Sequence, residues 1–137
     1  MNNTKAIKIS IDVRFRDLDA LGHVNNSVYF TYFEEGRRAL FSSICGENSF
    51  RFILAHVSCD YIKPAILNDR LTLIMKVGKI GTKSFELHYE LTDRNDTTAV
   101  FAKGESVLVC FDYERNESIP VSDTIRNQLI EYQWDFV

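Results

Sequence analysis

The ten residues Asp17-Leu18-Asp19-Ala20-Leu21-Gly22-His23-Val24-Asn25-Asn26 gather two carboxylates, a glycine, a histidine and two asparagines directly ahead of a segment with helical periodicity. That order suits chemistry at a carbonyl. Backbone N–H groups at a helix N-terminus, with the macrodipole behind them, can hold a carbonyl oxygen that becomes negative in a tetrahedral transition state. A carboxylate slightly earlier in the loop could attack the carbonyl or activate a water beside it. The same residue types also build turns and helix caps. On type alone, Asp17, Asp19, Asn25 and Asn26 fit a purely local role equally well.

The elements around this loop follow from periodicity. Ile7, Ile9, Ile11, Val13 and Phe15 alternate with polar residues, which predicts a strand from 7 to 16. From Ser27 the period becomes helical: Tyr29, Phe33, Gly36 and Leu40 fall on one face, while Glu34, Glu35, Arg37 and Arg38 can point elsewhere and pair along the surface. A helix over 27–44, capped by Asn26 or Ser27, would be about 27 Å long, enough to cross a sheet. Gly36 in its interior suggests close packing. After a turn over 46–49, extended patterns predict strands over 52–62, 71–77, 85–91 and 99–113, with a hairpin tip at 78–84 and a turn over 93–98. A short helix over 122–131 follows Pro120. Strand, loop, one long helix and four strands in succession is an α+β plan with an antiparallel sheet wrapped around a single helix. Such a sheet leaves its edges and outer face wanting a partner, so a homodimer or larger assembly is expected.

Composition narrows the function classes. The 137 residues are 45% hydrophobic and 26% charged, with two prolines and six glycines, which fits one globular domain over 1–137 without linker or repeat. Sixteen basic against nineteen acidic residues give a net charge of −3 with no basic run, a poor footprint for nucleic acid. No apolar run approaches the ~18–20 residues of a membrane span, and the N-terminus lacks a signal-peptide pattern, so a cytoplasmic protein is expected. Cys45, Cys59 and Cys110 are odd in number and lack a C-x-x-C spacing, which predicts reduced, partly buried thiols. His56 and His88 sit in strand patterns without a partner at metal spacing, so no metal is expected. There is no G-x-S-x-G elbow, no G-x-G-x-x-G after a strand and no H-E-x-x-H. The glycines at 78–84 have the wrong spacing for a phosphate loop, although Lys79 and Lys83 could meet a phosphate as point charges.

The run from Arg14 to Asn26, followed by Tyr29 and by Tyr32-Phe33-Glu34-Glu35, resembles the signature of the hotdog-fold acyl-CoA thioesterases of the 4-hydroxybenzoyl-CoA thioesterase family. The resemblance extends through Tyr61-Ile62-Lys63-Pro64, the hairpin from Gly81 to Ser84, and Ser118-Ile119-Pro120. It implies a hotdog fold: a curled antiparallel sheet of about five strands around one long central helix. It further implies hydrolysis of an acyl-CoA thioester to a carboxylic acid and CoA, with no cofactor beyond the CoA carried by the substrate.

By the same resemblance, Asp19 is the catalytic carboxylate, as nucleophile or general base. The oxyanion donor is a backbone N–H at Asn26 or an immediate neighbour, and His23 orients or tunes the site. Asn25, Tyr29 and Glu35 would contact substrate, and Lys83 and Ser84 would meet the CoA phosphates. Asp17 would instead be structural, paired with Arg14 or Arg16. Acyl-carrier-protein thioesterases of plants place an Asn where this chain has Leu21, which argues against their triad operating unchanged. The resemblance also implies active sites at the interface of a homodimer or homotetramer. A non-catalytic acyl-CoA or acyl-carrier binding protein and an acyl-carrier-protein thioesterase are the alternatives. A hydratase of acyl thioesters would need an acid–base pair of which no motif is visible.

Overall fold

Residues 5–45 and 51–134 are described by the computed structural model, so the turn expected over 46–49 and the first four residues lie outside the described residues. Alternation of apolar and polar side chains makes Ile7–Asp12 the first strand, β1. It stops four residues short of the expected end because the Asp17 carboxylate takes the Arg14 backbone N–H at 3.0 Å and its guanidinium at 2.9 Å. Those bonds close a single 3-10 turn over Phe15–Asp17 and leave Phe15 81% exposed.

The long helix α1 runs Asn26–Cys45 and buries Tyr29, Phe33, Gly36 and Leu40, the stripe its periodicity predicts. The cap is one residue earlier than expected. Asn25 Oδ1 accepts the Ser27 backbone N–H at 3.0 Å and the Ser27 hydroxyl at 2.9 Å, satisfying a donor the helix itself cannot. Arg37 does not point to solvent with Arg38; it is buried on the same face as Phe33 and Phe41.

Four further strands complete the sheet: β2 (Phe52–Tyr61), β3 (Arg70–Ile80), β4 (Ser84–Asp93) and β5 (Asp96–Asp112). All pair antiparallel in the order β1-β3-β4-β5-β2, and a two-residue strand, β6 (Glu117–Ser118), adds to the end of β5. The turn expected over 93–98 is tighter. Asp93 faces Asp96 across Arg94 and Asn95, and the Asp93 carboxylate holds the Asn95 amide at 2.9 Å. The second helix, α2 (Asp123–Ile130), is capped by Ser122, whose hydroxyl accepts from the Ile125 amide.

One face of β3, β4 and β5 lies against α1. Leu71, Leu73, Leu87 and Leu91 are fully buried there, and the Phe33 ring stacks on Tyr89 at 4.4 Å between centroids. Each such side chain contributes roughly 1.5–3 kcal/mol relative to exposure. A Cβ on Gly36 would stand 2.8 Å from Leu73 Cδ2, so the helix backbone sits directly on β3. The sheet therefore curls around one helix whose N-terminus emerges beside the Asp17–Asn26 loop. Among the described residues no helix is long and apolar enough to cross a membrane.

Candidate active site

The loop between β1 and α1 is held at both ends. Asp17 is 2% exposed, and its carboxylate accepts from Arg14 and from the Tyr32 hydroxyl on α1 at 2.8 Å, while its carbonyl accepts the Asn25 amide at 2.8 Å. Burial alone would raise its pKa. The Arg14 and Tyr32 hydrogen bonds outweigh that effect and hold the carboxyl below the usual range. Burial and the same bond push the Tyr32 phenol up, so it remains a donor. Asp17 thus anchors the loop to the helix, with Arg14 as its ionic partner.

Between these anchors the chain folds tightly on itself. The Asp19 amide donates to the His23 carbonyl at 2.7 Å, Leu18 bridges Val24, and Gly22 turns the chain at φ +81°. Asp19 Oδ1 accepts the amides of Leu21 at 2.8 Å and His23 at 3.2 Å. Asp19 Oδ2 has no hydrogen-bond partner among the described residues. The carboxylate is therefore oriented by one oxygen and open at the other.

Asp19, His23, Asn26 and Tyr29 line one cleft of about 160 Å3 with Val24 and with Tyr61, Ile62, Lys63 and Pro64 from the end of β2. Two elements meet there because of Tyr61, whose hydroxyl donates to the Asn26 carbonyl at 2.9 Å. The Tyr61 ring meets Tyr29 edge-on at 5.0 Å. The Asn26 amide opens α1 ahead of the helix's own ladder and has no acceptor among the described residues. Lys63 carries a cation to the rim, with Nζ 4.9 Å from the centre of the Phe101 ring.

The other predicted contacts fall differently. Tyr29 is 2% exposed, its hydroxyl accepts the Ala65 amide at 3.3 Å, and burial raises its pKa, so it forms the floor of the cleft. Asn25 uses its side-chain oxygen on the helix cap. Glu35 does not line the cleft; it pairs with Arg38 at 3.4 Å on the helix surface. Lys83 and Ser84 lie at the other end of the sheet. Ser84 pairs with Val109, whereas Tyr61 pairs with Ala102, seven residues along β5 or about 24 Å away. Within one chain, the hairpin and the cleft are not brought together.

The thiols match their expected character: all three are free, and burial pushes Cys59 and Cys110 up to about 11. Tyr32, whose hydroxyl holds the Asp17 carboxylate, is the site neighbour that patterning missed. It lies one turn ahead of Gly36 on the buried face of α1, and that spacing was the available signal.

Comparison with known proteins bears on the family and the fold. A family model described as the thioesterase-like superfamily matches residues 13–129. The long-chain acyl-CoA thioesterase FadM of Escherichia coli is 27% identical over 131 residues, covering 90% of this chain and 96% of that protein. A 1,4-dihydroxy-2-naphthoyl-CoA hydrolase of Nostoc punctiforme is 32% identical over 126 residues, covering 82% of this chain and 79% of that one. Among solved structures, a thioesterase from Thermus thermophilus, complexed with coenzyme A and Zn, superimposes with a TM-score of 0.80. It shares 32% identity and covers 89% of this chain and 90% of its own.

Proposed function

Because the chain belongs to the thioesterase-like superfamily and has its hotdog fold, we propose that it hydrolyses an acyl-CoA thioester to a carboxylic acid and free CoA. One observation carries the mechanism: a carboxylate fixed by Oδ1 and open at Oδ2 lines the same cleft as the unbonded first amide of α1. The thioester carbonyl oxygen docks on the Asn26 amide, where the positive end of the helix dipole stabilises the oxyanion. Either Asp19 attacks the carbonyl carbon, expelling the CoA thiolate to leave an acyl–aspartyl anhydride that water then hydrolyses to the acid, or Asp19 takes a proton from a water that attacks the carbonyl and expels the thiolate directly. His23 supplies a polar wall and holds the Asp19 oxygen through its backbone.

CoA is a component of the substrate in this reading, and no separate cofactor takes part. The site is completed by a second copy of the chain, because β2 and β1 are the sheet's free edges. If two β2 strands pair antiparallel about their midpoint, Ile53 of one copy stands opposite Asp60 of the other. That arrangement returns the second copy's Lys83–Ser84 hairpin to the level of the cleft, where the CoA phosphates would meet it.

The test is a thiol-release assay over short, medium, long and aromatic acyl-CoAs, run beside Asp19→Asn. The expected result is turnover of at least one class, a loss of roughly 10²–10⁴-fold in kcat in the variant, and an unchanged melting temperature. Near-native turnover by Asp19→Asn sinks the assignment of that residue. Ligand-dependent stabilisation with no thiol release from any substrate points instead to a non-catalytic acyl-CoA binder.

A further inference from the structure

A second groove, of about 270 Å3, lies between α1 and β2 and is lined by Glu34, Arg37, Arg38, Phe41, Phe52, Leu54 and Leu108. Arg37 belongs to it and is 8% exposed. Its Nη1 donates to the Tyr89 hydroxyl at 3.2 Å, and Tyr89 in turn shares a 2.6 Å bond with Ser106. No carboxylate pairs with Arg37 among the described residues; the ion pairs of α1 there run from Arg38 to Glu35. Burial pushes the Tyr89 phenol up, so this neighbour is a neutral hydroxyl and supplies no countercharge.

A guanidinium keeps its charge at any accessible pH and presents five donors in a fixed fork. Here one donor is bonded to a neutral group while the side chain is more than nine-tenths removed from solvent. A buried charge of this kind is stable only when something answers it. Beside Arg37, the charged residues on the helix side of the groove are Glu34 and Arg38; among the described residues Glu34 makes no bond to Arg37, and the remaining wall is phenyl and leucyl. An apolar body ending in a carboxylate matches both halves of that surface, the chain against Phe41, Phe52 and Leu54 and the carboxylate on the fork.

On the thioesterase reading above, we propose that Arg37 is a specificity-determining residue: it binds a carboxylate at the distal end of the substrate's acyl group, in the groove between α1 and β2. Under the β2 pairing described, Phe52 and Leu54 of one copy stand opposite Tyr61 and Cys59 of the other. A groove then adjoins the cleft of the second copy, and an acyl group held there by its thioester extends toward Arg37. The edge strand itself supplies no competing acid. Its single carboxylate, Asp60, faces Lys103 on the opposite side of the sheet from Gly104, the residue beneath Phe33.

Two measurements on the intact chain separate this site from the reaction. Binding of free octanoate, octanedioate and octanol is followed by thermal shift for the native protein, Arg37→Met and Arg37→Lys, with circular dichroism and sedimentation as controls. Hydrolysis of octanedioyl-CoA, bearing a free distal carboxylate, is compared with that of octanoyl-CoA. The expected result is stabilisation by the two acids and not by the alcohol, lost in Arg37→Met. Native kcat/KM should favour octanedioyl-CoA by about 10–100-fold, a ratio that collapses toward one in Arg37→Met and falls part-way in Arg37→Lys.

Equal hydrolysis of both thioesters, with no acid-dependent stabilisation, overturns the carboxylate site and leaves the thioesterase reading standing. No hydrolysis of either, with Arg37-dependent binding of octanoate, does the reverse. An Arg37→Met variant that is folded but dissociated assigns the missing countercharge to a second copy and also overturns the site. Should that variant fail to fold, the native protein's contrast between octanoate and octanol, with Arg37→Lys, still decides.

Discussion

Two aspartates two positions apart have separate tasks, and their hydrogen bonds distinguish them. Asp17 spends both oxygens on Arg14 and Tyr32 inside the protein, whereas Asp19 offers one to the cleft. Because the folded carboxyl of Asp17 is depressed below its unfolded value of about 3.9, its contribution is fully present above that value and is lost as pH falls through the folded pKa. Asp17→Asn should therefore lower the melting temperature at pH 7 and flatten its fall below about pH 4, as read from melts between about pH 2.5 and 7. A variant with the native acid profile would show that another carboxylate governs it. Turnover should drop as well, since the loop's tie to the helix passes through Tyr32; Tyr32→Phe, which removes one of those bonds, should show the smaller loss. The motif resemblance assigned the chemistry to the second acid, and residue types made a structural partner for Asp17 expectable. What the sequence could not show was that Arg14, not Arg16, answers it, because that choice depends on the 3-10 turn.

Periodicity located β1, β3, β4 and α1, because the two-residue and 3.6-residue repeats are set by which face is buried, and extended composition with proline punctuation placed β2, β5 and α2. Ends were less legible, since they are fixed by side-chain bonds that periodicity does not contain: the Arg14–Asp17 turn cut β1 short, and Asn25 moved the cap of α1. That cap is a test at this scale. Asn25→Ala should cost about 1 kcal/mol in urea unfolding and also reduce kcat, because the amides it orders adjoin the oxyanion position. Stability lost with kcat intact would separate the cap from the site. The contact between α1 and the sheet is equally specific. A Cβ on Gly104 of β5 would stand 2.5 Å from the Phe33 ring and 2.7 Å from the Ser58 carbonyl, the latter a backbone atom in the adjoining strand that cannot swing aside. Gly104→Ala should destabilise by about 1–3 kcal/mol, measured by the urea midpoint at unchanged slope. The burial of Arg37 was not legible at this level for the opposite reason: a charged residue on a helix is ordinarily solvated, and Tyr89, Ser106, Phe52, Leu54 and Leu108, all distant in sequence, supply much of its buried surroundings.

At the scale of the molecule, one helix serves five strands, and the sheet ends in two edges of unequal character. β1 is six residues long and carries Lys8 and Asp12 on its wet face, features that discourage further pairing. β2 is ten residues long, has no Asp, Glu, Lys or Arg before Asp60, and leaves Ile53 and Leu54 37% and 40% exposed. An edge of that kind, running from the groove at Phe52 to the cleft at Tyr61, favours pairing with a copy of itself and would join two half-sites in one act. If folding and pairing are coupled, stability depends on concentration: a hundredfold dilution lowers it by about 2.7 kcal/mol, or roughly 5–10 °C in melting temperature for a domain of this size. Sedimentation of the native chain from about 1 to 100 µM should give twice the 15.8 kDa chain mass, with melts that shift over the same range. The double variant Ile53→Lys/Leu54→Lys places charge on both faces of the edge, and should sediment as single chains and lose thiol release together. Full turnover by dissociated chains would mean that each cleft works alone, and constant melting temperatures in a native chain of single mass would remove the second copy from the mechanism.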